Sequence, residues 1–324
     1  MMHPRKIVTL LALVLASASA PAFGRSSLIV VAGVGGQKEY QESFVSWAES
    51  WRAAGIKGGA TVTAIGLPGS AEDCLTPLRT ALQQESPDSM EPLWLVLLGH
   101  GTYDGREARF NLRGEDLTVA ELVEWLKPMR RPVVVVAAFS ASGAFLAPLS
   151  APGRILVTAT KSGGENNYAR FGEYLSASIA DPSADLDHDG QTSLLEAWLR
   201  AARQTADFYK SDGRIATEHS LLDDNGDGRG TPADWFQGLR VVKKSSDGGL
   251  PDGTRAHQMH LVASTTEREL PPAARAERDA LELQVAQLRE GKGSMAEDEY
   301  YAKLEAIFLR LAAIYREAPA ASSR

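Results

Sequence analysis

Two apolar runs, Leu93–Leu98 and Val133–Val136, constrain this chain more than any other feature. Neither alternates polar with apolar residues, so each reads as a strand covered on both faces, as in a parallel sheet. A helical pattern over Val119–Lys127 separates them, opened by the capping-box pair Thr118 and Glu121 just after Asp116. Further strand-like runs at Ser27–Val34, Thr61–Leu67 and Arg154–Thr160 alternate with helical patterns through Tyr40, Phe44, Trp47 and Trp51 and over Leu75–Gln83. This alternation predicts an α/β fold: a doubly wound, mostly parallel sheet with helices on both faces. In such sheets function gathers at the carboxyl ends of the strands.

Both central runs end in residues able to do chemistry. The first leads into Gly99-His100-Gly101, the second into Ser140-Ala-Ser142-Gly143. If the strands are neighbours, about 4.8 Å apart, His100 and Ser140 reach one substrate. A serine hydroxyl attacks well only when a nearby base takes its proton, and imidazole does this near neutrality. Gly101, lacking a side chain, can bring its amide to a developing oxyanion, with the Ser140 amide as second donor. The α/β-hydrolase pattern is excluded, because neither Ser140 nor Ser142 lies in Gly-x-Ser-x-Gly and the histidine comes first. The turn Gly33-Val-Gly35-Gly36 lacks the lysine and hydroxyl of a phosphate loop and reads as a tight turn. After the Arg154–Thr160 strand, Lys161, Glu165, Asn166 and Arg170 are candidates to line a substrate groove; the same stretch also reads as a solvated connection.

The order of these segments resembles the legumain and caspase group of cysteine peptidases. The resemblance rests on the strand into His100-Gly101, Glu115-Asp-Leu117 before a helix, the strand into Ser140-Ala-Ser142-Gly143, and Ala159-Thr-Lys-Ser-Gly-Gly-Glu-Asn-Asn-Tyr-Ala169. It implies a caspase-like fold, a peptide or protein as substrate or ligand, His100 as general base, and Ser140 where the family carries its nucleophilic cysteine. Ala141 stands where legumain has an acidic residue, and Gly36–Tyr40 offers no counterpart to its arginine, so asparagine specificity is not implied. Two functions stay open: a hydrolase with serine in place of cysteine, and a catalytically inactive peptide-binding or scaffold protein.

Asp185-Leu-Asp187-His-Asp189-Gly190-Gln191-Thr-Ser193-Leu-Leu-Glu196 matches a twelve-residue calcium loop: Asp185, Asp187, Asp189, the Gln191 carbonyl, Ser193 and Glu196 supply oxygens, and Gly190 allows the turn. Asp223, Asn225 and Asp227 repeat the first half, with Asp234 at the twelfth position, and the same stretch also reads as an Asn-Gly/Asp-Gly turn. His188 and His219 read as exposed or supporting groups, since calcium prefers oxygen. Cys74 is the single cysteine, so no intrachain disulfide forms, and Ca²⁺ is the expected staple.

A basic start through Lys6, an apolar run Ile7–Ala16 and the small-residue end Ala22-Phe23-Gly24 follow the plan of a secretory leader, residues 1–24. Export to the periplasm or beyond is expected, without a membrane span. With 34 basic against 41 acidic residues and no basic stripe, nucleic acid is not an expected partner. The main domain is expected to run over 25–264, with a strand-like run at His257–Ala263. Helical patterns at Glu277–Glu290 and Glu297–Glu317 then make a hairpin over 265–324, expected to pack on the main domain or on a second copy of itself, or to serve as an arm for a partner.

Overall fold

The computed structural model describes residues 25–70, 72–243 and 250–317; the expected leader lies outside them. The strands are β1 (Ser27–Ala32), β2 (Thr61–Ile65), β3 (Leu93–Gly99), β4 (Gly101–Tyr103), β5 (Ala108–Phe110), β6 (Leu117–Thr118), β7 (Val133–Phe139), β8 (Arg154–Thr158), β9 (Leu221–Asp223) and β10 (Thr231–Pro232), with a short hairpin of β11 (Phe236–Gln237) and β12 (Arg240–Val241). Seven of them form the central sheet in the order β10-β9-β8-β7-β3-β1-β2, and β4, β5 and β6 form a small antiparallel sheet beyond β3. From β2 through β8 the pairing is parallel; β9 and β10 close one edge antiparallel. The architecture is therefore the mixed α/β, mostly parallel arrangement that the alternation of runs predicts.

The unbroken apolar runs follow from two covered faces, since successive side chains of a strand point to opposite sides. Trp94, Val96 and Leu98, with Val134, Val136 and Ala138, face α1 (Lys38–Lys57), α5 (Phe171–Ser178) and α6 (Leu194–Ser211). Leu95 and Leu97, with Val135 and Ala137, face α2 (Leu75–Gln84), α3 (Val119–Leu126) and α4 (Gly143–Leu149). Helix α3 begins as its sequence requires. Thr118 Oγ1 accepts the Glu121 amide at 3.2 Å, and the Glu121 carboxylate accepts the Thr118 amide at 3.0 Å. Asp116 accepts the Leu112 amide at 2.9 Å, a local structural role.

The carboxyl-terminal part consists of α7 (Thr254–His257), α8 (Thr265–Glu269), α9 (Pro272–Glu290) and α10 (Glu297–Glu317). The strand expected at His257–Ala263 does not form. His257 ends α7, and the Met259 carbonyl accepts the Leu194 amide at 2.8 Å instead of joining a ladder. Helix α9 starts at Pro272, earlier than its apolar periodicity suggests, because proline suits the first helical turn, where no amide partner is needed. It docks against the amino-terminal ends of the strands, where Arg275 makes two 3.2 Å bonds to Glu91. Helix α10 packs on α9 through Tyr300 and Ile314 and leaves Tyr301, Phe308 and Tyr315 exposed. Among the described residues, no helix is long and apolar enough to cross a membrane.

Leu97 is fully buried at the middle of the sheet. Leu97→Ala is expected to cost about 2–5 kcal/mol, read as a lower denaturant midpoint with an unchanged slope.

Candidate active site and acidic loops

The sheet brings the two chemistry-bearing turns together. Parallel β3 and β7 pair Leu98 with Ala138 and Gly99 with Phe139, so His100 and Ser140 leave neighbouring strands at the same level. The Gly101 amide donates to Ser140 Oγ at 3.0 Å, and that hydroxyl donates to the Gly101 carbonyl at 3.2 Å. A Cβ on Gly101 would collide with the Ser140 carbonyl and the Phe139 ring, so this contact requires glycine. Ser140 is 2% exposed. Tyr103 of β4 lies against Gly163, where a side chain would strike the tyrosine ring.

His100 stands in an aromatic recess. Its ring centroid lies 5.0 Å from Phe44, 5.2 Å from Tyr40 and 6.0 Å from Tyr168, each edge to face. The imidazole is hydrogen-bonded to the backbone of Gly35, which raises its pKa, but burial outweighs this and holds it below the ordinary value near 6.5. A neutral ring donating one N–H to the Gly35 carbonyl keeps its other nitrogen as an acceptor. Gly35 is fixed in turn, its amide donating to the Gln41 side chain at 2.9 Å. The glycine turn after β1 is thus a tight turn, and it also orients the histidine. Sequence reasoning missed that role, because only the pairing of β1 with β3, on the side away from β7, brings the two turns together. No hydrogen bond joins the His100 ring to the Ser140 hydroxyl among the described contacts.

Ala141, directly after Ser140, has φ 62° and is 1% exposed. The left-handed region costs a residue with a Cβ roughly 1–2 kcal/mol. Its amide donates to the Glu165 carbonyl at 2.7 Å. Ser142 is structural: its buried hydroxyl accepts the Ala159 and Thr160 amides at 3.0 and 3.1 Å and ties the turn after β7 to the end of β8.

The four groove candidates separate. Lys161 and Glu165 lie beside the turn, with the Lys161 amide donating to the Glu165 carboxylate at 2.9 Å. That carboxylate also meets His219 Nδ1 at 2.5 Å. Asn166 is exposed. Arg170 stacks 4.1 Å from the Phe208 ring and 5.5 Å from Tyr168, and so braces the aromatic wall behind His100. Glu218 supports the same wall. Its carboxylate accepts the Arg170 and Phe171 amides at 2.9 and 3.0 Å, and burial pushes its pKa up.

In the first acidic loop, Asp185, Asp187 and Asp189 place carboxylate oxygens within 4.8 Å of one another. Asp185 accepts the Asp189 and Gly190 amides at 3.2 and 3.0 Å, and Gly190 takes φ 88°. Ser193 and Glu196 are engaged elsewhere, in a capping box at the start of α6. The second Glu196 oxygen accepts the Leu186 amide at 2.7 Å. The Gln191 side chain accepts the Ser264 amide at 2.9 Å. In the second loop, Asp223 accepts the Gly226 and Gly228 amides, each at 3.0 Å, and the Asn225 and Asp227 side chains close turns of their own. Asp234 pairs with Lys243 at 2.5 Å.

Beneath that loop lies a carboxylate pair that the sequence does not mark. Asp252 accepts the Asp224 amide at 2.8 Å and the Thr231 hydroxyl at 2.6 Å, while Asp224 accepts the Gly253 and Ala256 amides at 3.0 and 2.8 Å. Burial and the neighbouring Asp224 charge push Asp252 up to about 7, and burial raises Asp224 as well.

No family model matches this sequence, and neither does any curated protein. Among solved structures, the Drosophila initiator caspase Dronc is similar at 12% identity, over 64% of this chain and 80% of that one, with a TM-score of 0.42. A protein from Geobacter sulfurreducens is similar at 13% identity, over 62% of this chain and 93% of that one, also with a TM-score of 0.42. Strand order and register define the fold described above independently of either likeness.

The lowered pKa of His100 has a thermodynamic counterpart. Folding favours the neutral ring, so its contribution to stability is complete above the ordinary value near 6.5. It is lost as pH falls below that value, because the unfolded chain then binds the extra proton. The denaturant midpoint of the wild-type protein should therefore fall relative to that of His100→Gln as pH drops below about 6.5, a difference from which the raised carboxyls Asp252, Asp224 and Glu218, common to both proteins, cancel; an NMR titration should place His100 below its ordinary value.

Proposed function

We propose that this chain is an exported, peptidase-like serine hydrolase acting on peptide or protein substrates. The observation that carries the reading is Ser140 Oγ resting 3.0 Å from the Gly101 amide, with His100 leaving the neighbouring strand at the same level. On this reading His100 takes the Ser140 proton as Oγ bonds to the substrate carbonyl carbon. The Gly101 amide, released by the hydroxyl, then holds the oxyanion. Collapse breaks the C–N bond, the proton passes from His100 to the leaving amine, and water hydrolyses the ester by the reverse proton path. The resemblance of the segment order to the legumain group supports the choice of substrate class.

A second reading, a non-catalytic peptide-binding or scaffold protein, draws on a different observation. Ser140 is buried, and its proton is shared with the Gly101 carbonyl and not with His100. A fluorophosphonate separates the two: Oγ–P forms, P–F breaks and fluoride leaves. The hydrolase reading expects labelling that Ser140→Ala abolishes, His100→Ala cuts sharply and Ser140→Cys converts to thiol reactivity. Absence of labelling, together with an inert Ser140→Cys, would leave the binding reading.

We also propose that the first acidic loop holds Ca²⁺ as a staple for an exported chain without disulfides. Three facing carboxylates suit a hard cation, and outside the cell such modules bind at roughly 0.1–1 mM. At a hundredfold excess over Kd the ion would add about 2.7 kcal/mol. Chelation should therefore lower Tm by several degrees, and Asp187→Asn should remove that response; a Tm indifferent to chelator would defeat the proposal.

A further inference from the structure

We propose that Glu165 is the positioning residue of this site, holding the turn that presents Ser140 and not touching the substrate; the role rests on the hydrolase reading. The reasoning starts from Ala141 at φ 62°. A residue with a Cβ keeps such a conformation where its surroundings over-determine it. The restraint is the 2.7 Å bond from the Ala141 amide to the Glu165 carbonyl. That carbonyl belongs to an irregular loop, so its position must itself be fixed.

The Glu165 carboxylate fixes it. Its side chain is 12% exposed and gathers donors from two segments. The Lys161 amide donates at 2.9 Å and closes the loop on itself. From the segment just ahead of β9, the His219 amide donates at 3.1 Å and the His219 ring meets the other oxygen at 2.5 Å. One residue thus ties the turn after β7, the loop after β8 and the entry to β9 into a single frame. Removing the carboxylate leaves the Lys161 and His219 amides without their acceptor and frees the Glu165 carbonyl. Ala141 then relaxes toward the right-handed region, and Ser140 Oγ leaves its place 3.0 Å from the Gly101 amide.

The conservative variant should behave differently. In Glu165→Gln the amide oxygen can take both backbone donors, and the NH₂ can donate to His219 Nδ1 in the tautomer that accepts. Glycine at position 141 holds φ near +60° without a restraint, so Ala141→Gly should recover part of what Glu165→Ala loses.

The test uses the full chain and a fluorophosphonate, resolving inactivation into a saturating rate constant and a half-saturating concentration. Glu165→Ala is expected to lower the rate constant about 100-fold with little change in the concentration. Glu165→Gln should stay close to wild type, and Glu165→Ala/Ala141→Gly should fall between. Hydrogen exchange at residues 140–143 should rise in Glu165→Ala and not in Glu165→Gln. An unchanged rate constant in Glu165→Ala overturns the inference and leaves the hydrolase reading standing. So does a loss that Glu165→Gln shares, that follows Tm, or that Ala141→Gly fails to relieve. If the wild-type protein and Ser140→Cys are both unreactive, the hydrolase reading itself fails and the positioning role falls with it.

Discussion

The parallel ladder between β3 and β7 is the constraint on which the rest of the site depends. Its register puts Gly99 opposite Phe139 and therefore delivers His100 and Ser140 together. A slip of one residue would turn every side chain of a strand to the opposite face. Close packing at the strand ends resists such a slip: a Cβ on Gly99 would lie 3.0 Å from the Phe110 ring and 3.2 Å from the Gly33 Cα. The same crowding draws β1 against β3 and sets Gly35 where it can hold the imidazole. Packing that stabilises the core thus also fixes the chemistry at its edge.

Around Ser140 most of the positioning is done by main-chain atoms. The Gly101 amide and carbonyl hold the hydroxyl, the Gly35 carbonyl orients the histidine, and the Glu165 carbonyl restrains Ala141. Such groups cost no side-chain entropy to order, and their directions are fixed once the segments carrying them are packed. The packing is supplied by aromatic side chains on one side, where Tyr40 stacks 4.7 Å from Tyr168, and by the Glu165 carboxylate on the other. The acidic loops follow a different principle. In the first, three carboxylates face one another in partly solvated surroundings, which suits a hard cation. Under the second, Asp224 and Asp252 are buried and spend their oxygens on amides and a hydroxyl, so that the pair bolts the Leu250–Gly253 segment to the loop.

Much of this was legible in the chain before any coordinates. Unalternated apolar runs announced a sheet buried on both faces, Thr118 and Glu121 marked the start of α3, and the helical patterns at Glu277–Glu290 and Glu297–Glu317 announced the pair α9 and α10. Local rules reach such features because propensity and periodicity act within a few residues. They failed at His257–Ala263, where apolar spacing imitates a strand but no ladder partner is at hand. At Ser193 and Glu196 one pair of side chains fits two patterns, a calcium loop and a capping box, and the structure shows it in the capping box at the start of α6.

By itself, then, the sequence determined the class of sheet, the turns that end its two central strands, and the chemical character of His100, Ser140 and the acidic loops. Tertiary structure alone decided that Ser140 rests on Gly101, that Gly35 orients the histidine, that Glu165 reaches both Ala141 and His219, and that Asp224 meets Asp252. Each of those contacts joins segments distant in the chain, so it exists only once register and packing have fixed where the segments lie.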